Sequence, residues 1–91
     1  MKFEWDEKKA AEKASKHGVS FDEAMTVFED PLFLIFSDVP HSFREQRYII
    51  MGRSNRGQLL VVAYTSRKDR TRLISAKKAT HRERKAYEED I

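Results

Sequence analysis

Basic side chains crowd residues 66–85, which read SRKDRTRLISAKKATHRERK. The cations of this basic segment are Arg67, Lys68, Arg70, Arg72, Lys77, Lys78, Arg82, Arg84 and Lys85. The apolar residues Leu73, Ile74 and Ala76 interrupt the charges, which indicates a strand anchored in the core rather than a disordered tail. Cations on a rigid sheet can bind phosphate groups and stabilise negative charge. The first chemistry to consider is therefore that of a phosphodiester.

Other catalytic classes find little support in the sequence. The three histidines (His17, His41 and His81) are far apart, lack acidic partners at ligand spacing, and the chain has no cysteine, so we expect no metal site. Three isolated glycines cannot form a nucleotide-binding loop. Ser75 has no histidine nearby in sequence, which leaves nucleophilic catalysis unsupported but not excluded.

Metal-free cleavage of RNA remains, and it needs no cofactor. The 2′-hydroxyl of RNA is an internal nucleophile, so a protein need only orient it, stabilise the charge on phosphorus and assist proton transfer. Arginine and lysine can supply the electrostatic part. Glutamate, histidine or tyrosine can act as general acid or base.

The charge of the chain is divided between its halves. Residues 1–41 carry a net charge of −4 and residues 42–91 a net charge of +7. Such an asymmetry suggests that the second half meets a polyanion. Ordinary solvation of helix and strand surfaces explains the charge equally well.

The length and the apolar runs indicate one small domain over residues 1–91. Its opening residues, MKFEWDEKK, lack the apolar stretch of a signal peptide. The apolar runs at residues 32–36 and 59–64 are far shorter than the roughly 20 residues that span a bilayer. We therefore expect a soluble, cytoplasmic protein with no membrane contact.

The sequence patterns predict an α+β fold in which helices flank a small antiparallel sheet. Phe3 and Trp5 indicate a short edge strand. Asp6 is a candidate cap for a helix over residues 7–17, Gly18 ends it, and Ser20 with Glu23 forms a capping box for a second helix to about residue 29. These two helices form an N-terminal helical hairpin.

The second half of the chain predicts three further strands and a C-terminal helix. The strands cover residues 44–53, 58–66 and about 72–76, joined by a hairpin connection at 54–57 and a turn at 67–71. The final helix covers about 79–90. Alternation along the last strand places Arg72 on one face with Ile74 and Ala76, and Leu73 on the other.

The glycine turn in KHGVSFDEA (residues 16–24) is similar to the turn of a DNA-reading helix-turn-helix. A recognition helix needs cations or neutral hydrogen-bonding groups toward DNA. The helix after Gly18 carries Asp22, Glu23, Glu29 and Asp30 and no lysine or arginine. Repulsion by phosphates opposes its entry into a groove. We expect the hairpin to cover the sheet instead.

Four segments together resemble the BrnT toxins of type II toxin–antitoxin systems. They are FEWDEKK, KHGVSFDEAMTVFEDP, the HS-x-x-E-x-R pattern from His41 to Arg47, and RLISAKKATHRERKAYE. The resemblance covers nearly the whole chain and keeps the order of the segments. It implies a RelE-like fold, RNA cleavage that inhibits translation, and a cognate BrnA-like antitoxin with a ribbon-helix-helix domain. DNA contact would then be indirect, through the antitoxin.

The resemblance also implies a set of site residues. The expected catalytic residues are Glu45 and Arg47 on the first long strand, Arg67 at the end of the next, and Arg72 and Lys77 flanking the last. The expected RNA-binding residues are Arg70, Lys78, Arg82, Arg84 and Lys85. Lys77 and Lys78 stand where many relatives show arginine first, so the departure is mild, and lysine binds phosphate only as a point charge.

Individual roles follow as hypotheses. Arg47, Arg67 and Arg72 would bind the scissile phosphate, and Glu45 would be the general base. An ion pair between Glu45 and Arg47 that merely positions the strand is an alternative. For Glu83 we expect helix capping, for Tyr87 core packing with a hydrogen-bonded hydroxyl, and for His81 solvent exposure.

Two other functions stay open at this point. A non-catalytic module could bind RNA or the antitoxin and act in regulation of its own operon. A sequence-specific DNA regulator acting alone would bind an operator without a partner.

Overall fold

The computed structural model describes residues 1–42 and 44–89. In this part of the chain the helices are α1 (Glu7–His17), α2 (Phe21–Met25) and α3 (His81–Glu89), with short 3-10 turns at Thr26–Glu29 and Val39–His41. The strands are β1 (Lys2–Glu4), β2 (Leu34–Ser37), β3 (Arg47–Arg53), β4 (Leu59–Arg67) and β5 (Arg70–Lys78). The α+β prediction is confirmed.

The five strands form one mixed sheet in the order β1-β5-β4-β3-β2. β2 to β5 pair antiparallel with their neighbours, but β1 runs parallel to β5. The prediction of a purely antiparallel sheet was therefore wrong. An apolar pattern shows that a strand exists, but it does not show which distant strand will become its neighbour.

The N-terminal hairpin has the predicted caps. Asp6 accepts a 3.0 Å hydrogen bond from the backbone N–H of Lys9, and Ser20 accepts one of 3.1 Å from Glu23. Gly18 ends α1 with a φ of 70°, a left-handed conformation that glycine adopts without strain. α2 is shorter than predicted because the chain tightens into a 3-10 turn at Thr26.

The hairpin covers one face of the sheet, as predicted. The hairpin contributes Val19, Phe21, Ala24 and Val27 to a core formed with Ile50, Leu60, Val62, Leu73 and Ala76 of the sheet. α2 therefore supplies apolar contacts to the interior and is not presented as a recognition helix.

α3 packs on the opposite face, near one end of β3 and β4. Its Tyr87 is buried against Met51, Leu59 and Val61. Thr80 and Glu83 exchange hydrogen bonds at its start, of 2.8 and 3.2 Å, so the capping role expected for Glu83 is confirmed.

A bulge in β5 changes which of its side chains face the hairpin. Tyr64 pairs with Leu73, but Ala63 pairs with Ser75, which leaves Ile74 as the extra residue. Leu73 and Ala76 consequently belong to the same core cluster. The prediction that Arg72 and Ala76 share a face was wrong, because simple alternation does not continue through a bulge.

Several boundaries differ from the predicted ones. β3 begins at Arg47 rather than at residue 44, and β5 is nine residues long, with only Lys68 and Asp69 in the turn before it. Lys68 takes a φ of 53°, which allows this tight turn. The predicted end of the last helix at Asp90 lies outside the described residues. None of the described helices is both long and apolar enough to cross a membrane.

Candidate active site

One row of side chains crosses four neighbouring strands of the sheet. Arg47 of β3 pairs with Thr65 of β4, Thr65 with Arg72 of β5, and Arg72 with Glu4 of β1. Directly paired residues point to the same face. Arg47 lies four residues before Met51 on β3, so this is the face on which α3 packs. The row lies toward the end of this face that α3 leaves uncovered.

A cleft of about 210 Å³ opens at this row. Its lining combines cations, carboxylates and two apolar side chains: Asp6, Lys9, Glu45, Arg47, Arg67, Arg72, Leu73 and Ile74. The structure therefore brings four of the five predicted catalytic residues together: Glu45, Arg47, Arg67 and Arg72. The residues come from separate strands and from the segment before β3.

Glu45 lies in a bend before β3, not on the strand as predicted. Its Oε2 is 3.4 Å from Nη2 of Arg67, so its partner is Arg67 and not Arg47. Both side chains are partly exposed, and a pair of this kind contributes little to stability. The contact places the Glu45 carboxylate beside Arg67 at the cleft.

Hydrogen bonds fix the chain on either side of Glu45. The backbone N–H of Arg47 donates to Oγ of Ser42 at 3.1 Å, and that hydroxyl donates to the carbonyl of Asp38 at 2.7 Å. The buried hydroxyl of Thr65 donates to the carbonyl of Gln46 at 2.7 Å. The segment that carries Glu45 and Arg47 is thus tied to β4.

The guanidinium of Arg47 has an unused donor. Its Nε is buried and has no hydrogen-bond partner among the described residues. Most buried polar atoms in proteins are paired, and an exception asks for an explanation. The described residues supply no acceptor for it, and an atom this buried is not open to a ligand in the cleft.

Arg72 is held by a carboxylate on its other side. Its Nη1 donates a 2.7 Å hydrogen bond to Oε2 of Glu4. The other oxygen of Glu4 lies 3.9 Å from Nε of Arg70. Arg70, predicted to bind RNA, therefore lies beside the cleft.

Asp6 adds a negative charge at the cleft. The backbone N–H of Lys9 lowers the pKa of Asp6 below its ordinary value, and the charge of Arg72 acts in the same direction. Asp6 is therefore ionised at neutral pH and can accept hydrogen bonds but not donate a proton.

Lys77 does not line the cleft. Its Nζ is 2.6 Å from Oε1 of Glu83 at the start of α3. Burial alone would raise the pKa of Glu83, but hydrogen bonds from Lys77 and Thr80 lower it overall. Lys77 thus supports the beginning of the helix, and its catalytic role stays a prediction.

The remaining predicted RNA-binding residues lie outside the cleft lining. Lys78 is exposed at the end of β5, and α3 carries Arg82, Arg84 and Lys85. His81 is exposed, as expected. These cations extend the positive surface without entering the cleft.

The sequence did not predict Glu4, Asp6 or Lys9 as site residues. Glu4 and Asp6 were visible in the FEWDEKK segment that supported the resemblance. Their position at the cleft depends on the parallel pairing of β1 with β5, which joins residues 68 positions apart at the Glu4–Arg72 contact. No local pattern predicts that pairing. Among the described residues, no three His, Cys, Asp or Glu side chains form a group that could hold a metal ion.

Comparison with known proteins identifies the family. A model of the family described as "Ribonuclease toxin, BrnT, of type II toxin-antitoxin system" matches residues 5–83. The chain belongs to the BrnT family. Ribonuclease activity and an antitoxin partner are therefore features of its family, and the resemblance noted in the sequence is confirmed.

A solved structure supports the fold of this BrnT family member. The chain is similar to the ribonuclease toxin BrnT of Brucella abortus, known from a crystal structure at 1.1 Å resolution, with 23% sequence identity and a TM-score of 0.68. The match covers 89% of this chain and 99% of the Brucella chain. A search of curated protein sequences finds no significant match.

Proposed function

We propose that this BrnT family member is a metal-independent endoribonuclease that cleaves RNA and thereby inhibits translation. One observation carries the proposal: Arg47, Arg67 and Arg72, from three adjacent strands, line a single cleft together with Glu45. Guanidinium groups from separate strands that line one cleft can contact a phosphate from several sides.

The three arginines would bind the scissile phosphate and stabilise the charge that develops on it. Arginine can donate two parallel hydrogen bonds to phosphate oxygens, and preorganised donors of this kind are a large source of rate enhancement. The position of Arg47 in the cleft lining, beside Arg67 and Arg72, supports its role in ligand binding.

Glu45 would accept the proton of the 2′-hydroxyl. The 2′-oxygen then forms a bond to phosphorus while the bond from phosphorus to the 5′-oxygen breaks, and the departing 5′-oxygen takes up a proton from solvent. The products are a 2′,3′-cyclic phosphate and a 5′-hydroxyl. Nη2 of Arg67 contacts the Glu45 carboxylate. On substrate binding, a phosphate oxygen would take the place of that carboxylate as the acceptor for Arg67.

Cleavage of an end-labelled RNA by the purified protein in EDTA tests this function. We expect cleavage with EDTA present, strong loss in Arg67→Ala and Arg72→Ala, and unchanged activity in Lys16→Ala, which removes one positive charge from the exposed side of α1. Cyclic phosphate ends on the products support the route through the 2′-hydroxyl. Activity retained in both arginine variants would contradict the assignment of Arg67 and Arg72 to the scissile phosphate.

A non-catalytic binding module is the second candidate, and a specific observation favours it. Two of the three arginines already have carboxylate partners, Arg67 with Glu45 and Arg72 with Glu4. Under this alternative the protein would bind RNA or its antitoxin without producing cleaved ends. The same assay, combined with a binding measurement, separates the two functions.

We further propose that the partner is a BrnA-like antitoxin with a ribbon-helix-helix domain, and that DNA contact occurs through it. The acidic α2 segment and its buried apolar face support the absence of a DNA-reading helix here. A mobility-shift assay with operator DNA should show binding by the complex but not by this chain alone. Arrest of a cell-free translation reaction, relieved by the antitoxin, tests the toxin activity.

A further inference from the structure

Glu4 lies between two arginines at the edge of the proposed active site. We propose that Glu4 is a positioning residue, which holds the guanidinium of Arg72 in the orientation needed to stabilise the cleaved phosphate. The inference rests on the proposed function, since it assigns to Glu4 an effect on the same cleft.

Strand pairing makes this contact a consequence of the fold. β1 is parallel to β5, and Glu4 is the direct partner of Arg72, so both side chains point to the same face. Their hydrogen bond is 2.7 Å long, and the two side chains are only 25% and 29% exposed. A short, partly buried ion pair is screened less than a surface pair. It can therefore fix the rotamer of Arg72.

The contact with Glu4 occupies only part of the Arg72 guanidinium. A guanidinium carries five N–H donors, and the bond to Glu4 uses one of them, at Nη1. Among residues 1–42 and 44–89 the Arg72 side chain makes no other hydrogen bond, so its remaining donors can bind a phosphate in the cleft. Because the side chain is already oriented, less conformational entropy is lost when the phosphate binds.

Glu4 also restrains Arg70. Its second oxygen is 3.9 Å from Nε of Arg70, whose side chain is 54% exposed. The two arginines lie two positions apart on β5 and project on one face. Without the carboxylate between them, their like charges would drive the guanidinium groups apart and turn Arg72 from its present direction.

The negative charge of Glu4 opposes RNA binding even as the side chain orders Arg72. Loss of Glu4 should therefore affect binding and cleavage in opposite directions. RNA affinity should rise or stay constant because the cleft becomes more positive, and kcat should fall because Arg72 is no longer held. A residue that only stabilises the fold would not separate these two quantities.

The test compares Glu4→Gln and Glu4→Ala with the wild-type protein and with Glu12→Gln. Glu12 is exposed on α1, so Glu12→Gln makes the same change in net charge away from the cleft. Affinity is measured with an RNA blocked by 2′-O-methyl groups, and kcat with the unblocked RNA at saturation. Thermal unfolding establishes that each variant is folded.

We expect kcat of Glu4→Ala to fall by about 10- to 100-fold with no loss of affinity, as for a catalytic group that has been displaced. Glu4→Gln, which keeps a hydrogen-bond acceptor, should recover part of this loss, and Glu12→Gln should match the wild type. If Glu4→Ala is unfolded, Glu4→Gln alone must still lower kcat without weakening binding.

Wild-type kcat in both Glu4 variants would overturn the inference while leaving the proposed nuclease intact. A parallel loss of affinity and kcat would also overturn it. Absence of cleavage by the wild-type protein would refute the nuclease function, and with it the role given to Glu4.

Discussion

The hydroxyl of Tyr87 donates a 2.6 Å hydrogen bond to Oδ2 of Asp30. The same oxygen accepts a 2.7 Å bond from the backbone N–H of Arg53, and Oδ1 accepts one of 2.9 Å from Leu32. One carboxylate thus joins α3, the end of β3 and the segment before β2. The role expected for Tyr87, core packing with a hydrogen-bonded hydroxyl, is confirmed. This junction holds α3 on the sheet.

Tyr87→Phe should lower the free energy of unfolding by about 1–3 kcal/mol at neutral pH. The change deletes a hydrogen bond to a charged group, which contributes about this much, while the buried ring is retained. Urea unfolding at neutral pH measures the loss. His81→Ala is the control, because His81 is exposed on the same helix. Equal stability of Tyr87→Phe and wild type would show that the bond contributes nothing.

The alkaline stability should depend on the same hydroxyl. Burial, followed by the hydrogen bond to Asp30, raises the pKa of Tyr87 from 10.0 to about 12. The raised pKa contributes about 2–3 kcal/mol of stability, fully present below pH 10 and lost as the pH rises through about 12. The stability difference between wild type and Tyr87→Phe should therefore shrink across this interval. A constant difference in unfolding titrations would contradict the assignment.

In acid, the pH dependence of stability has the opposite sign, because there stability falls as the pH falls and Asp30 is protonated. Burial alone would raise the pKa of Asp30, but the bonds from Tyr87, Arg53 and Leu32 lower it below the ordinary 3.8. Its contribution is therefore present above about pH 3.8 and is lost as the pH falls through the lowered value. Asp30→Asn should flatten the acid side of the stability profile relative to Ser37→Ala, a change on the exposed edge strand β2. An acid profile as steep as that of the wild type would contradict this.

Gly52 makes the close approach of Asp30 to β3 possible. A Cβ at position 52 would lie 3.0 Å from Oδ2 of Asp30 and 3.1 Å from Cγ1 of Val27. Gly52→Ala should therefore lower stability by about 1–3 kcal/mol, as overpacked sites do. Thermal unfolding measures the loss, and Gly52→Ala should cost less in an Asp30→Ala background than in the wild type, because the contact with Oδ2 is then absent. A neutral Gly52→Ala would mean that the junction can relax.

The helices were predictable because their signals are local. Asp6, Gly18 and Ser20 are within a few residues of the bonds that they make or the ends that they form, so the sequence shows both partners at once. β4 was predicted to within about one residue because an apolar run has a definite length. The tight turn before β5 was misplaced because Lys68 takes a left-handed conformation that its residue type does not favour.

The site was only partly predictable, for reasons that are not local. The resemblance to the family implied Arg47, Arg67 and Arg72 as site residues, but the three meet only through the pairing of β3 with β4 and of β4 with β5. The parallel pairing of β1 with β5 brings Glu4 to the site, and the bulge in β5 separates the face of Arg72 from that of Ala76. No sequence pattern predicts the pairing or the bulge. The resemblance also implied Lys77, which five residues of extended strand separate from Arg72 by roughly 17 Å. Its catalytic role stays a prediction.

Lys77→Ala should act on the last helix rather than on cleavage. Its pair with Glu83 is 39% and 34% exposed, so solvent screening leaves an expected loss of about 1 kcal/mol or less. Glu83→Ala should cost more, since it also removes the acceptor for the backbone N–H of Thr80. Cleavage rates should stay within about threefold of wild type in Lys77→Ala and fall strongly in Arg72→Ala. A large kcat defect in folded Lys77→Ala would place Lys77 in the catalytic site.

Salt dependence should distinguish the outer cations from the cleft. Arg82, Arg84 and Lys85 on α3, with Lys78 at the end of β5, would attract the RNA backbone without touching the reacting phosphate. Each alanine variant should reduce the slope of log affinity against log salt by about 0.7, as expected for one single-strand phosphate contact. The loss of affinity should be similar for RNAs of different sequence.

At saturating RNA, the same variants should keep the wild-type kcat, because the outer cations contribute equally to the bound ground state and the transition state. Arg47→Ala supplies the contrast, since it should lower kcat even when binding is saturated. The measurement is a salt titration of affinity for blocked RNA, together with single-turnover cleavage of unblocked RNA. Unchanged slopes in all four outer variants would show that RNA does not reach α3, and would confine the binding surface to Arg70 and the cleft.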